Sequence, residues 1–143
     1  MTCWCDLRAI ADQLQLTSRA GQSVDSVFNL NTISFINIRQ LAADQMRTHV
    51  DVYAPFLALS GPCAEYDAYC DSVESITAAN WGGQTELNAI AASLGVSIWV
   101  YEVGRPVLKM GVQSSSSVTP LKVTYHRHFY ALGEHYNSVK LLA

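Results

Sequence analysis

Apolar residues along this chain repeat with two different periods, and the change from one to the other divides it roughly in half. In CDLRAIADQLQL (5–16), Leu7, Ile10, Ala11 and Leu14 recur at helical spacing, with Cys5 at or just ahead of the first turn. TSRAGQS (17–23) has loop composition. VFNLNTISFINI (27–38) is β-branched and apolar and fits either a strand or the lead into a helix. The helical period returns over 36–59, through Ile38, Leu41, Ala42, Gln45, Met46, His49 and Val50, and Pro55 is expected to end it. A turn and short helix follow over 61–75, with Tyr66, Tyr69, Cys70 and Val73 on one face. QTELNAIAASLG (84–95) predicts a helix with Leu87, Ile90, Ala91 and Leu94 inward and Gly95 as its C-cap.

From residue 96 the period drops to two. VSIWVYEV (96–103) predicts a strand, VLKMGV (107–112) a short one, and LKVTYHR (121–127) another. QSSSSVTP (113–120) reads as an exposed loop, the serine run included. After a tight connection at 128–134, HYNSVKLL (135–142) predicts a last strand antiparallel to the one before it. Helices first and strands afterwards, with one helix crossing between, predict an α+β fold. This is an α/β sandwich with a small, mostly antiparallel sheet flanked by helices.

Composition narrows the functional classes. At 143 residues the chain suits one domain with a sizeable core. Half of its residues are hydrophobic and 15% are charged, which excludes a disordered chain. Nine basic side chains, no basic run and a net charge of −3 argue against a nucleic-acid partner. No apolar stretch approaches the about 18 residues that cross a bilayer, so no membrane partner is expected. No signal peptide is recognisable. Cys3, Cys5, Cys63 and Cys70 lack the spacing of paired zinc knuckles, so reduced thiols in a cytoplasmic protein and no bound metal are expected. Cys63 and Cys70 are expected to be buried.

Two positions carry candidate chemistry. A cysteine at a helix start has the positive end of the helix dipole and free backbone amides beside it. Both stabilise a thiolate and an oxyanion. In ALGEHYNSVKLL (131–142), His135 and Asn137 stand two apart in an extended segment and share a face, with Tyr136 turned away. An imidazole beside a carboxamide is a general base with an orienting group. From chemistry alone the signal is modest: a lone cysteine at a helix start and a lone histidine are more often packed core residues, and 135–137 also fits an ordinary polar strand start.

Three blocks alter that balance. CDLRAIADQL (5–14), YCDSVESITAANWGGQTELNAIAASLGVSIWVYE (69–102) and YHRHFYALGEHYNSV (125–139) resemble, in order and spacing, the blocks of the ovarian-tumour (OTU) family of cysteine proteases, which remove ubiquitin from proteins. The second and third, with RQLAADQMRTHVDVYAPFL (39–57), are similar to the OTU domain-containing protein 6 branch. The resemblance implies an OTU-like cysteine protease fold over 1–143, N-terminally truncated relative to the family. It implies Cys5 as nucleophile, His135 as base and Asn137 as the residue orienting it. Trp81, Gly82, Gly83 and Glu86, with Gly133 and Glu134, fall beside the implied substrate channel, whose close walls suit the two glycines that end ubiquitin. The implied partner is ubiquitin or a ubiquitinated protein, the domain is expected to act as a monomer, and no cofactor is called for.

The match departs from the family next to the nucleophile. Where the family has Asp-Gly-x, this chain has Thr2, Cys3 and Trp4, and Asp6 adds negative charge beside a thiolate. Two readings follow: a working isopeptidase in which Asn137 replaces the missing acid, or an impaired OTU-like domain that binds ubiquitin or another partner. Among the remaining polar residues, His126 and His128 are expected to be structural or at the surface rather than a metal pair. His49 is expected to be packed on its helix, and Ser138 is expected to be a strand residue rather than a nucleophile.

Overall fold

The computed structural model describes residues 5–19, 34–57, 63–75, 83–111, 119–128 and 135–140. Helix α1 (Cys5–Arg19) buries Leu7, Ile10 and Leu14 completely, the stripe its spacing predicts. Helix α2 (Phe35–Thr48) starts at Ser34, whose backbone amide donates to the Asn37 side chain at 3.2 Å. The ambiguous 27–38 segment therefore leads into a helix at its end, while 27–33 lie outside the described residues. α2 buries Ile38, Ala42 and Met46.

The long helix expected to run to Pro55 stops seven residues short of it. The chain breaks at His49 (φ −125°, ψ 56°), continues as the single turn α3 (Val50–Tyr53), and passes into a 3₁₀ turn over Ala54–Phe56 that contains Pro55. Tyr53 recovers the buried stripe, but the break swings His49 outward. His49 is thus exposed rather than packed, its Nδ1 3.2 Å from the Gln45 carbonyl.

Helix α4 (Cys63–Glu74) buries Tyr66, Cys70 and Val73, with Tyr69 packed at the edge of the core. The Cys63 side chain lies outside the described residues. Arg39 of α2, fully buried, donates from Nε to the Val73 carbonyl at 2.9 Å and from Nη2 to Ser72 and Ser75, so a cation sits on the negative end of α4. Arg47 ties the same helices at the surface, 2.7 Å from both Asp71 and Glu74. Helix α5 (Gln84–Leu94) ends at Gly95, whose φ of 63° is the left-handed C-cap expected there.

Strands β1 (Ile98–Tyr101), β2 (Leu108–Met110), β3 (Leu121–His126) and β4 (His135–Ser138) form one sheet in the order β2-β1-β3-β4. β1 pairs antiparallel with β2 and parallel with β3; β3 pairs antiparallel with β4. The sheet is therefore mixed but mostly antiparallel. Its buried face carries Ile98, Val100, Met110, Leu121, Val123 and Tyr136. α1 packs against β3 and β4, α5 against β1 and β2, and α2 against both helices. Gly111 admits no side chain: a Cβ there would sit 2.5 Å from the Val96 carbonyl oxygen, at φ 87°. Among the described residues, no helix is long and apolar enough to cross a membrane.

Candidate active site

The β3–β4 register determines which side chains meet. His126 stands opposite His135, Tyr125 opposite Tyr136, and Thr124 opposite Asn137. Alternation then puts Tyr125 and Tyr136 on one face, where their rings lie 5.0 Å apart, and Thr124, His126, His135 and Asn137 on the other. The buried Tyr136 anchors the strand start, leaving His135 and Asn137 half-buried beside each other.

His135 Nε2 lies 3.0 Å from Asn137 Oδ1. A carboxamide oxygen only accepts, so this contact puts the imidazole proton on Nε2 and leaves Nδ1 as the basic nitrogen. The ring also loses rotational freedom. His126 Nε2 makes a separate contact, 3.2 Å from Thr124 Oγ1, and His128 is exposed. No group of three metal-ligating side chains occurs among the described residues.

Cys5 is the first residue of α1, and its side chain lies outside the described residues. What the structure describes is how α1 is fixed to the strand bearing His135. At the far end of the β3–β4 pair, Val139 N donates directly to the Lys122 carbonyl at 3.1 Å. The reciprocal bond runs through a side chain from α1: Lys122 N donates to Gln13 Oε1 at 2.9 Å, and Gln13 Nε2 donates to the Val139 carbonyl at 2.7 Å. The same Nε2 donates to Ser138 Oγ at 2.7 Å. Ser138 thus serves as an acceptor within the strand. Gln13 is 6% exposed, a polar residue on the buried side of an amphipathic helix, and sequence reasoning assigned it no part in the site.

Of the residues expected beside the channel, Trp81, Gly82, Gly133 and Glu134 lie outside the described residues, and Gly83 and Glu86 lie within them. Gly83 is the N-cap of α5. Glu86 is 2% exposed; its Oε2 accepts from Gly83 N at 2.7 Å and its Oε1 accepts from the Tyr69 hydroxyl. Its carboxylate therefore works inside the fold, joining α5 to α4 and fixing the backbone that follows Trp81 and Gly82. Beyond Gly83 opens a cleft of about 480 Å³, lined in part by Gln84, Glu102, Tyr125, Arg127 and Tyr136. Glu102 is held there between Arg127, at 2.8 Å, and Arg105, at 3.5 Å.

A helix that opens on a cysteine thus packs on a strand that presents a coupled histidine and asparagine. The chain belongs to the family described as OTU-like cysteine protease, whose model matches residues 4–136. Its relatives include "Deubiquitinase OTUD6B" of Gallus gallus, 34% identical over 96% of this chain and 42% of that one. Another is "Ubiquitin thioesterase otu2" of Schizosaccharomyces pombe, 33% identical over 71% of this chain and 34% of that one. These relatives support the placement near the OTU domain-containing protein 6 branch, and the chain spans about two-fifths of the length of the first. Among solved structures, the OTU domain of OTUD1 has a TM-score of 0.60 at 18% identity, covering 94% of this chain and 77% of that one. The structure described as "Ovarian Tumor (OTU) domain in complex with Ubiquitin" has a TM-score of 0.59 at 18% identity, covering 94% and 62%. At that identity the likeness establishes the fold, an α+β OTU fold.

Proposed function

We propose that this domain is a cysteine-type deubiquitinase that cleaves after the C-terminal glycine of ubiquitin, with Cys5 as nucleophile, His135 as base and Asn137 as the orienting group. The observation that carries the reading is the 3.0 Å contact from His135 Nε2 to Asn137 Oδ1, on a strand fixed to the helix that Cys5 opens. The lengths of the two elements agree with it. From Gln13 back to Cys5 is about 12 Å of helix, and from Ser138 back to His135 about 10 Å of strand. The two distances from the shared clamp are therefore similar, which supports pairing Cys5 with His135.

In this mechanism His135 Nδ1 takes the thiol proton, and the thiolate attacks the carbonyl carbon of ubiquitin's terminal glycine. Backbone amides at the start of α1 donate to the oxyanion, aided by the helix dipole. The imidazolium returns its proton to the leaving lysine amine, and water then attacks the thioester, releasing ubiquitin and restoring the thiol. No metal or cofactor enters any step. Trp81, Gly82, Gly83, Gly133 and Glu134 are assigned to binding the glycine tail, and Glu86 to holding Gly83. Ubiquitin is the proposed partner of a monomeric, cytoplasmic domain with no nucleic-acid or membrane partner. The name of the avian relative and the ubiquitin-bound OTU domain support that choice.

The second reading, a silent ubiquitin-binding module, is favoured by one observation: Thr2, Cys3 and Trp4 stand where the family has Asp-Gly-x. Hydrolysis of a fluorogenic ubiquitin amide separates the two. The enzyme reading predicts turnover that is lost in Cys5→Ala and His135→Ala and falls by up to about 10⁴-fold in Asn137→Ala. Absence of turnover, with ubiquitin still bound, would establish the silent module.

A further inference from the structure

We infer that Gln13 is a positioning residue for the reaction: its carboxamide sets the spacing between the helix that carries the thiol and the strand that carries the imidazole. The inference rests on the proposed thiol mechanism and adds to it a residue that none of the catalytic roles requires.

The geometry is specific. Lys122 N can only donate and the Val139 carbonyl can only accept, so the carboxamide has one possible orientation between them. Both of its N–H bonds are used, on Val139 O and Ser138 Oγ, each at 2.7 Å. The bridge replaces one rung of the β3–β4 ladder, because Val139 N still reaches the Lys122 carbonyl directly at 3.1 Å. A covalent path of 125 residues separates Gln13 from Ser138, and this contact shortens it to one hydrogen bond. Ser138 and Val139 directly follow Asn137, the residue that holds His135. Movement at the clamp therefore passes through two residues to the imidazole on one side and through two helical turns to the thiol on the other.

Neither a shorter nor a differently charged side chain does the same work. Leucine fills similar space but leaves Lys122 N and Val139 O without their bridge. Glutamate keeps the shape but turns an acceptor oxygen toward the Val139 carbonyl. Both variants loosen the helix from the strand without altering the Cys5 thiol, the His135 imidazole or the Asn137 carboxamide.

The test needs no ubiquitin. Alkylation of Cys5 by iodoacetamide is followed from pH 5 to 10, resolved by fragment mass spectrometry, in the full chain and in Gln13→Leu, Gln13→Glu, His135→Ala and Tyr66→Phe. Tyr66→Phe removes the 2.6 Å bond to the Met46 carbonyl and serves as a destabilised control remote from β4. A thiolate–imidazolium pair alkylates below the range of an ordinary thiol. The expected result is that at pH 6 both Gln13 variants lose roughly 10²-fold in rate, as His135→Ala does, while rates at pH 10 and the Tyr66→Phe profile stay unchanged. Two variants keep the test decisive should the leucine chain fail to fold. A folded Gln13 variant with the unaltered pH 6 rate overturns the inference alone. An unsubstituted chain that already matches His135→Ala overturns the proposed mechanism and the inference with it, and the His135→Ala comparison identifies that case.

Discussion

Replacing Glu86 by alanine separates a brace from a substrate contact. Both carboxylate oxygens are engaged inside the fold, Oε2 with Gly83 N at 2.7 Å and Oε1 with the Tyr69 hydroxyl, and only 2% of the residue is exposed. Hydrogen bonds to a charged group contribute about 1.5–3 kcal/mol each, and part of that returns where water can reach the half-buried Gly83. A loss of about 3 kcal/mol is therefore expected for Glu86→Ala. Glu86→Gln keeps one acceptor and should lose about half as much. With about 2.1 cal/mol/K of unfolding entropy per residue over 143 residues, each kcal/mol corresponds to about 3 °C. Calorimetry should thus show the alanine variant melting about 10 °C lower and the glutamine variant about 5 °C lower. An alanine variant that melts within about 2 °C of the parent, with KM for a ubiquitin substrate raised instead, would refute the brace and make Glu86 a substrate contact.

Other perturbations probe separate parts of the account. Arg39→Met strips a buried guanidinium from the carbonyls of Ser72, Val73 and Ser75, and urea unfolding should show a loss of about 3 kcal/mol that Arg39→Lys does not restore, since an ammonium lacks the fork. Burial pushes the Cys70 thiol above its ordinary value near 9. Between those two values the folded chain keeps a proton that the unfolded chain releases, so stability present below pH 9 declines as pH rises. Melting temperatures from pH 8 to 10 should fall less steeply in Cys70→Ala, and parallel slopes would contradict the linkage. Burial also raises the Tyr66 hydroxyl, which adds to the decline at the alkaline end in both chains. Restoring the family residues ahead of the nucleophile, Thr2→Asp with Cys3→Gly, should raise kcat about tenfold or more by completing the oxyanion loop; an unchanged kcat would show that the departure is harmless.

Local periodicity made most of the fold legible. The α5 stripe with Gly95 behind it, and the antiparallel hairpin that puts His135 and Asn137 on one face, are consequences of neighbouring residues and hold in the structure. The helix over 36–59 was read too long because apolar spacing continues through Tyr53 although the backbone turns aside at His49. Chemistry that depends on distant contacts was not legible. Glu86 lies next to a Trp-Gly-Gly motif and so reads as part of a channel, while its partner Tyr69 is 17 residues away on another helix. Gln13 reads as a polar exception in an apolar stripe because its partners come 109 to 126 residues later.

The central claim is that the thiol of Cys5 is a nucleophile activated by His135, and one measurement meets it directly. The chain is incubated with ubiquitin bearing a C-terminal electrophile, and the intact mass is recorded with the modified residue mapped. The account predicts a one-to-one adduct on Cys5 that forms in the parent chain, is lost in His135→Ala and is slowed in Asn137→Ala. A folded chain that leaves the probe intact, or an adduct on Cys3, Cys63 or Cys70, would contradict it.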